Sequence, residues 1–511
     1  MSNATARPPG GPESRMDGLR IRTLGGGEVN SDGGHVLYWM IANRRTRWNF
    51  SLQRAVDWSF ELQKPLIIFE ALRCGYRWAS DRLHAFVISG MRDNREACAN
   101  RAVRYLPYVE PEEGAGKGLP KALADEAAVV VTDDFPCFML PRMVASAAKQ
   151  VECRFEAVDG NGILPMRQPN RTFTRAFSFR IHLHKTLPDF FEEAPMPDPL
   201  SRLDGSKLEA AELPFDIDAK WPSATSALLD GVSDGVDSEG FLGLLAELPI
   251  DHEVAPVAER PGGANEAKRR LDAFMDSKID QYGDDRNKPA EDGASGFSPW
   301  LHFGHLSAQE VLHRVLERED WTPDQVGEAK PGKREWWGLS DSAEAFLDEL
   351  ITWRELGYNM CVREDNYDQF ESLPDFARIT LKEHADDERD PVYSLEEFEQ
   401  AKTHDELWNA AQNQLRKTGI IHNYLRMLWG KKILHWSRSP REALDIMIEL
   451  NNKYALDGRN PNSYSGIFWV LGRYDRAWGP EREIFGKVRY MTSASTRRKY
   501  KVDPYIAKWN G

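Results

Sequence analysis

Two hydrophobic patterns divide this chain. In its first third, apolar residues run almost without interruption: His35-Val36-Leu37-Tyr38-Trp39-Met40, Pro65-Leu66-Ile67-Ile68-Phe69, Ala127-Ala128-Val129-Val130-Val131-Thr132 and Cys153-Arg154-Phe155-Glu156-Ala157-Val158. Such runs, the last two closed by Asp133-Asp134 and Asp159-Gly160, predict strands buried on both faces. Helical segments such as Leu52 to Leu62 alternate with them, which predicts a parallel sheet covered by helices on both sides. Beyond residue 264 the apolar positions recur at helical spacing. Segments 264–281, 307–319, 341–361, 396–416, 420–437 and 440–454 read as helices. The expected fold class is α/β followed by all-α. Residues 1–30, rich in Gly, Pro and Arg, read as a disordered tail, 31–165 as the α/β domain, 166–260 as a long linker with short helices, and 261–511 as the helical domain.

A length of 511 residues suits this plan, at ~150 residues per domain. With 41% hydrophobic residues the chain has material for large cores, which excludes wholesale disorder. No apolar stretch reaches about 18 residues, so no transmembrane helix is expected, and the N-terminus lacks the apolar segment of a secretory signal. Five scattered cysteines (Cys74, Cys98, Cys137, Cys153, Cys361) argue for reduced thiols, with no disulfide framework and no metal site. These features predict a cytoplasmic or nucleoid-associated protein.

Charge changes the picture. The net charge is −14, yet Ile421 to Gly511 holds 17 Lys/Arg against 8 Asp/Glu, or +9, which leaves −23 on residues 1–420. A basic lobe on an acidic chain suits a polyanion-facing surface; a merely solvated basic face is the alternative. Eleven of the 16 tryptophans lie at or after Trp300. Singly they suit an aromatic core; together they suggest a need for π surfaces or redox-active rings.

Several chemistries lose their usual supports: G-x-x-x-x-G-K-[ST], H-E-x-x-H, G-x-S-x-G, paired C-x-x-C and a G-x-G-x-x-G after the first strand are all absent. Four features remain. Ala294-Ser295-Gly296-Phe297-Ser298-Pro299 runs from a small-residue turn into a helix, suited to phosphate oxygens or simply to a helix start capped by Ser298. Trp429 and Trp436 stand seven residues apart, two turns and about 10 Å along one helix face, as in a core stripe or a paired site. Glu349 and Trp353 form an i,i+4 pair. The segment Leu450 to Asn462 is an amide-rich stretch between helices.

At this point the residues match a family. The runs Ser295 to Gly304, Glu349-Leu-Ile-Thr-Trp353-Arg-Glu-Leu356, Thr403-His404-Asp-Glu-Leu-Trp408-Asn-Ala-Ala-Gln412, His422-Asn-Tyr-Leu-Arg426-Met427-Leu-Trp429 through Trp436, Leu450-Asn451 to Asp457-Gly-Arg459, and Asp475-Arg-Ala-Trp478 with Phe485 to Met491 closely resemble the photolyase/cryptochrome family, specifically its class II cyclobutane pyrimidine dimer photolyases. Tyr282 with Arg286 adds to the match, which covers about residues 35–505.

The resemblance implies an N-terminal antenna-type domain and a helical domain that holds FAD, active when reduced, with a deazaflavin-type antenna possible. It implies that Tyr282 and Ala294, Ser295, Gly296, Phe297 and Ser298 hold the phosphate and adenosine side, that Arg426 and Asp457 contact the flavin, and that Asn451 faces its N5. It further implies light-driven electron donation to a dimer flipped out of ultraviolet-damaged DNA. Glu349 would hydrogen-bond the dimer, with Trp353, Asn423, Met427, Trp469 and Trp478 around it. Arg476 and the Arg497, Arg498, Lys499, Lys501 cluster would meet phosphates. Trp436, Trp408 and Trp429 would form a reducing chain with Trp436 innermost and Tyr393 extending it. Asn452 and Asn460 stand where acids are expected, Asn423 where Gly is frequent, and Tyr474 in place of a usual His. A monomer is expected. The alternative in the same family is a cryptochrome-like flavin photoreceptor without repair activity; the short stretch after the domain and the retained lesion-site residues speak for repair.

Overall fold

The computed structural model describes residues 16, 18–213, 215–291, 293–330 and 335–511. Of the tail expected over 1–30, residues 1–15 and 17 lie outside them. Six strands form one sheet: β1 (Ile21–Leu24), β2 (His35–Met40), β3 (Leu66–Leu72), β4 (Val103–Val109), β5 (Ala127–Asp133) and β6 (Arg154–Val158), in the order β1-β6-β5-β2-β3-β4. β2 and β5 are buried at every position, as strands covered on both faces must be. Helices α1 (Phe50–Leu62), α2 (Asp81–Cys98), α3 (Leu119–Asp125) and α4 (Leu140–Ala147) connect them.

Two strands escape the apolar-run criterion, and both are edges. β4 carries Arg104 and Pro107, which an edge strand tolerates because one side needs no ladder. β1 is four residues long and pairs antiparallel with β6, so the sheet is mixed and part of the stretch expected as a tail over 1–30 is a paired strand. Arg20, just ahead of β1, is fully buried. It ion-pairs with Glu193 at 2.9 Å and donates to the carbonyls of Gly162 and Ile163.

The linker holds short helices, among them α5 (Ala176–Thr186), α6 (Thr225–Gly231) and α7 (Glu239–Leu245). Leu228, Leu229, Phe241 and Leu245 pack with Val87, Ile88 and Met91 of α2. The helical part then includes α8 (Ala264–Ser277), α9 (Ser298–Phe303), α10 (Asp341–Leu347), α11 (Arg354–Arg363), α12 (Glu406–Thr418), α13 (Asn423–Trp436), α14 (Pro440–Tyr454) and α15 (Pro461–Val470). Two expected continuous helices are interrupted. Asp348–Trp353, between α10 and α11, is a π-helical turn. The 396–416 segment breaks ahead of Asp405, whose carboxylate accepts the Leu407 and Trp408 N–H groups and so starts α12 afresh.

One apolar cluster runs from Leu37, Trp39 and Phe155 of the sheet to Trp408, Trp429 and Phe468 of the helices, so the sheet and the helices share a core. Arg82 of α2 fastens the two parts by donating to Tyr454 O at 2.8 Å and Arg416 O at 2.6 Å, at helix C-termini where a cation is favoured. At the same junction Gly304 has φ +73°, and a Cβ there would lie 1.9 Å from Ala42 O. Arg45 Nη1 donates to Gly304 O at 2.8 Å.

Candidate functional site

The π-helical turn sets the first group of side chains. A π turn inserts a residue into the helical repeat and redirects the side chains around it. Asp348 is buried and takes both Nε and Nη2 of Arg180, at 2.7 and 2.9 Å, and the Trp353 indole N–H at 3.1 Å. Trp353 stacks on Trp469, with centroids 4.7 Å apart at 16°. The Trp469 N–H in turn donates to Asp475 Oδ1 at 3.1 Å. Two parallel, half-buried indoles, each held by a carboxylate, make a fixed apolar wall suited to a planar partner. Glu349, on the same turn, is half-buried and ion-paired to Arg286, whose guanidinium lies 5.6 Å from the Tyr282 ring. Burial pushes the Tyr282 phenol well up, so it stays protonated. The sequence did not single out Asp348 or Arg180; the i,i+5 spacing of Asp348 and Trp353 becomes a contact only because the turn is π-helical.

The second group lies on α13 and α14. Arg426 Nη2 is 3.3 Å from both carboxylate oxygens of Asp457. The loop after α14 folds back over Asn451: Ala455 N–H donates to Asn451 O, and a Cβ on Gly458 would come within 2.8 Å of that oxygen. Asn451 is 3% exposed, and its Nδ2 has no hydrogen-bond partner. A buried amide donor without an acceptor is costly. With the Arg426–Asp457 pair it fits the polar edge of a flavin ring, which offers carbonyl and ring-nitrogen acceptors. The neutral amides at Asn452 and Asn460 hold the loop: Asn452 Oδ1 accepts from Arg459 N at 2.8 Å, and Asn460 Nδ2 meets His302 Nδ1 at 3.0 Å.

The 294–298 run divides. Phe297 is core, packed on Phe274 at 5.2 Å. Ser298 opens α9 and does not cap it, since the N-cap position is Phe297 and has no side-chain hydrogen bond. Gly296 has φ +70° and open space around it, while Ala294 and Ser298 are exposed and Ser295 half-buried.

Trp408, Trp429 and Trp436 are all buried at 2% exposure or less. Trp408 Nε1 donates to Trp429 O at 3.0 Å, and its ring lies 6.3 Å from Trp436 at 71°. Trp408 thus joins the Trp429 backbone to the Trp436 ring. On α13 Arg426 precedes Trp429 by one turn and Trp436 by nearly three. Trp436 instead abuts half-buried Tyr393, 5.8 Å away at 79°. Along α13 Trp429 is thus the nearer of the two to Arg426, and Trp436 is the one in contact with Tyr393. The Trp429 N–H donates to Gln412 Oε1 at 2.9 Å, a partner the sequence did not flag although it sits one turn beyond Trp408 on α12.

The remaining expected residues scatter more. Asn423 is exposed at the first turn of α13, and Met427 packs against the shared core. Tyr474 packs against both large apolar clusters. Arg476 lies 5.3 Å from the centroid of the exposed Trp478 ring, with Arg489 5.6 Å from it. In the 497–501 cluster Arg497 is engaged by Asp503 at 2.7 Å and Glu406 at 3.4 Å, and Lys499 lies over Tyr424. Arg498, Lys499 and Lys501 are exposed.

A cavity of about 730 Å³ opens elsewhere, where the sheet meets the helices. β2 lies between β3 and β5 at the point where the strand order reverses, and the crevice beyond such strands is where open α/β sheets take ligands. Trp39, Phe69 and Met143 line it with Arg44, Arg142 and Arg459. Asp133 shapes its floor by accepting the N–H groups of Ile41, Ala42 and Asn43 at 2.8–2.9 Å. Among the described residues, no group of three or more His, Cys, Asp or Glu could hold a metal ion, and no helix is long and apolar enough to cross a membrane.

No family model matches the chain. Among curated proteins it is 33% identical over 493 residues to a deoxyribodipyrimidine photo-lyase of Methanothermobacter thermautotrophicus, covering 96% of this chain and 98% of the relative. Proteins of the same name from Arabidopsis thaliana and Potorous tridactylus are 32% and 30% identical, over 96% and 97% of this chain and 92% and 85% of theirs. A solved structure of a bacterial class III photolyase from Agrobacterium tumefaciens shares the fold, with a TM-score of 0.63 at 16% identity over 93% of this chain and 86% of that one. With the fold, the paired indoles and near end-to-end similarity agreeing, this chain belongs to the deoxyribodipyrimidine photo-lyase family.

Proposed function

We propose that the protein repairs cyclobutane pyrimidine dimers in ultraviolet-damaged DNA, using blue light and FAD, and that it is of the class II type its motifs resemble. Residues 31–165 with β1 form the antenna-type domain, 166–260 the linker, and 261–511 the flavin and lesion domain. It acts as a monomer in the cytoplasm or on the nucleoid.

Arg426, Asp457 and Asn451 hold the flavin ring, and Tyr282 with the 294–298 backbone holds the phosphate and adenosine side. A bound, reduced flavin would supply the light-driven one-electron chemistry of the reaction. The protein's part is positional and electrostatic. Trp353 and Trp469 stack against the dimer once it has left the helix, with Met427, Asn423 and Trp478 around it. Flipping costs least at a lesion that already stacks poorly. Glu349 exchanges Arg286 for the dimer carbonyls and stabilises the charge that develops there. Arg476, Arg489, Arg498 and Lys501 meet phosphates, which makes binding salt-dependent and largely independent of sequence. Trp429, Trp408 and Trp436 carry electrons inward to restore the reduced state. The cavity at the strand switch point suits a planar antenna of the deazaflavin type: its walls are apolar, and the exposed Arg142 on its lining suits an anionic tail.

The observation that carries the reading is the Asp348–Trp353–Trp469–Asp475 wall beside Glu349, in a chain similar to photo-lyases over nearly its whole length. The test is repair of an oligonucleotide holding one thymine dimer. Restoration under blue light and none in the dark is the expected result. Flavin binding without light-dependent repair would turn the assignment to the photoreceptor alternative.

A further inference from the structure

Donor groups along the aromatic chain meet two kinds of acceptor. The Trp429 N–H is bonded to the Gln412 amide oxygen and the Trp408 N–H to the Trp429 carbonyl. Neither acceptor can take a proton. At the outer end the Tyr393 hydroxyl lies 2.7 Å from Nδ1 of His404, an imidazole. The same hydroxyl oxygen accepts the His404 backbone N–H at 2.9 Å, which leaves its own proton directed at Nδ1. Tyr393 is docked on the last tryptophan: its N–H donates to Trp436 O at 3.0 Å, and the rings touch edge to face. The His404 ring is 4.8 Å from that of Trp436, and His404 is exposed.

A positive hole on Trp436 is poorly placed to stay. The Lys432 ammonium lies 4.8 Å from the ring centroid, and Asp405, at 3.5 Å from Lys432, offsets it only in part. Moving the hole outward relieves that repulsion only if it becomes neutral on arrival. A phenol losing an electron must lose its proton as well, and His404 is the base in reach.

We propose that His404 is the proton acceptor for Tyr393, so that electron supply to the oxidised tryptophan chain ends in a proton-coupled step. One electron passes from Tyr393 to the oxidised Trp436 ring, and the hydroxyl proton passes to His404 Nδ1. Tyr393 is left as a neutral radical, Trp436 is restored, and the imidazolium releases its proton to solvent. The oxidant that starts the sequence is a bound, photoexcited, oxidised flavin. The inference therefore rests on the functional reading above.

The experiment is flash photolysis with pulsed electron paramagnetic resonance on the flavin-bound protein, in H2O and D2O. The wild type should give tryptophan radicals followed by a tyrosyl radical that forms more slowly in D2O. Tyr393→Phe should stop at tryptophan. His404→Gln keeps the backbone donor and an acceptor atom but no base; it should leave tryptophan radical yield unchanged and lower the tyrosyl yield about tenfold or more. In His404→Ala, added imidazole should restore the tyrosyl signal, which a merely structural residue would not show. In the dark, 15N spectra should show His404 Nδ1 as an unprotonated acceptor whose shift changes in Tyr393→Phe. An unchanged tyrosyl yield in His404→Gln, or a His404→Ala variant that imidazole does not rescue, would overturn the proposal while leaving the flavin reading intact. Wild-type protein that binds flavin but gives no tryptophan radical would overturn the electron-chain reading and this inference with it.

Discussion

The indoles of Trp353 and Trp469 lie parallel, 4.7 Å apart at 16°, and each gives its N–H to its own carboxylate: Trp353 to Asp348, Trp469 to Asp475. A stacked pair locked at both outer edges cannot rotate to follow a ligand, so the protein presents a preformed wall. Preformed contacts avoid the cost of ordering side chains on binding.

Trp353→Ala should weaken binding of a dimer-containing oligonucleotide by about 1–3 kcal/mol, roughly tenfold to a hundredfold in Kd, with little change for undamaged duplex. Asp348→Asn should give a smaller loss, because the ring remains but its anchor weakens. Fluorescence anisotropy on damaged and undamaged strands measures both.

Glu349→Gln should retain flavin absorbance and DNA binding yet repair about tenfold less per photon, since a charged hydrogen bond is worth about 1.5–3 kcal/mol. Equal repair yields for variant and wild type in a calibrated blue-light assay would remove Glu349 from the mechanism.

Trp429→Phe should abolish photoreduction of oxidised flavin, because Trp429 stands one turn from Arg426. Trp436→Phe should slow lasting reduction but leave the first transfer visible on the shortest timescale. Both should repair normally when reduced chemically beforehand. Transient absorption distinguishes the two positions; an intact first transfer in Trp429→Phe would restore Trp436 as the inner ring.

Gly304→Ala should lower stability by about 2 kcal/mol or more, since it combines a left-handed φ with a Cβ placed 1.9 Å from Ala42 O at the junction of sheet and helices. A denaturant titration showing wild-type stability would mean the junction can shift.

Glu355 gives stability a pH dependence. Burial raises its pKa to about 7, opposed by the N–H groups of Ile163 and Leu164 and by Arg354 and Arg20. The folded protein then holds a proton that the unfolded chain, with a carboxyl near its ordinary 4.5, has already released. This group's contribution therefore falls as pH rises from about 4.5 to 7 and levels off above. Glu355→Gln should flatten that window in thermal melts, and an unaltered slope would show that Glu355 is ionised in the fold.

Much of this protein is decided along the chain. The apolar runs of β2, β3, β5 and β6 and the helical spacing after residue 264 specify the two architectures, because buried strands and amphipathic helices leave local patterns. The family motifs lie in continuous stretches and name Glu349, Trp353, Arg426 and the three tryptophans. Tertiary structure decided the rest. β1 and β4 are strands because a neighbour completes their hydrogen bonds, not because their own sequence is apolar. The π-helical turn brings Asp348 to Trp353, and Arg180 arrives at the same carboxylate from a helix remote in sequence. The docking of Tyr393 on Trp436 and its meeting with His404 follow from which segments lie together. Spacing along one helix fixes distance along its axis; it carries no information about which end faces the interior.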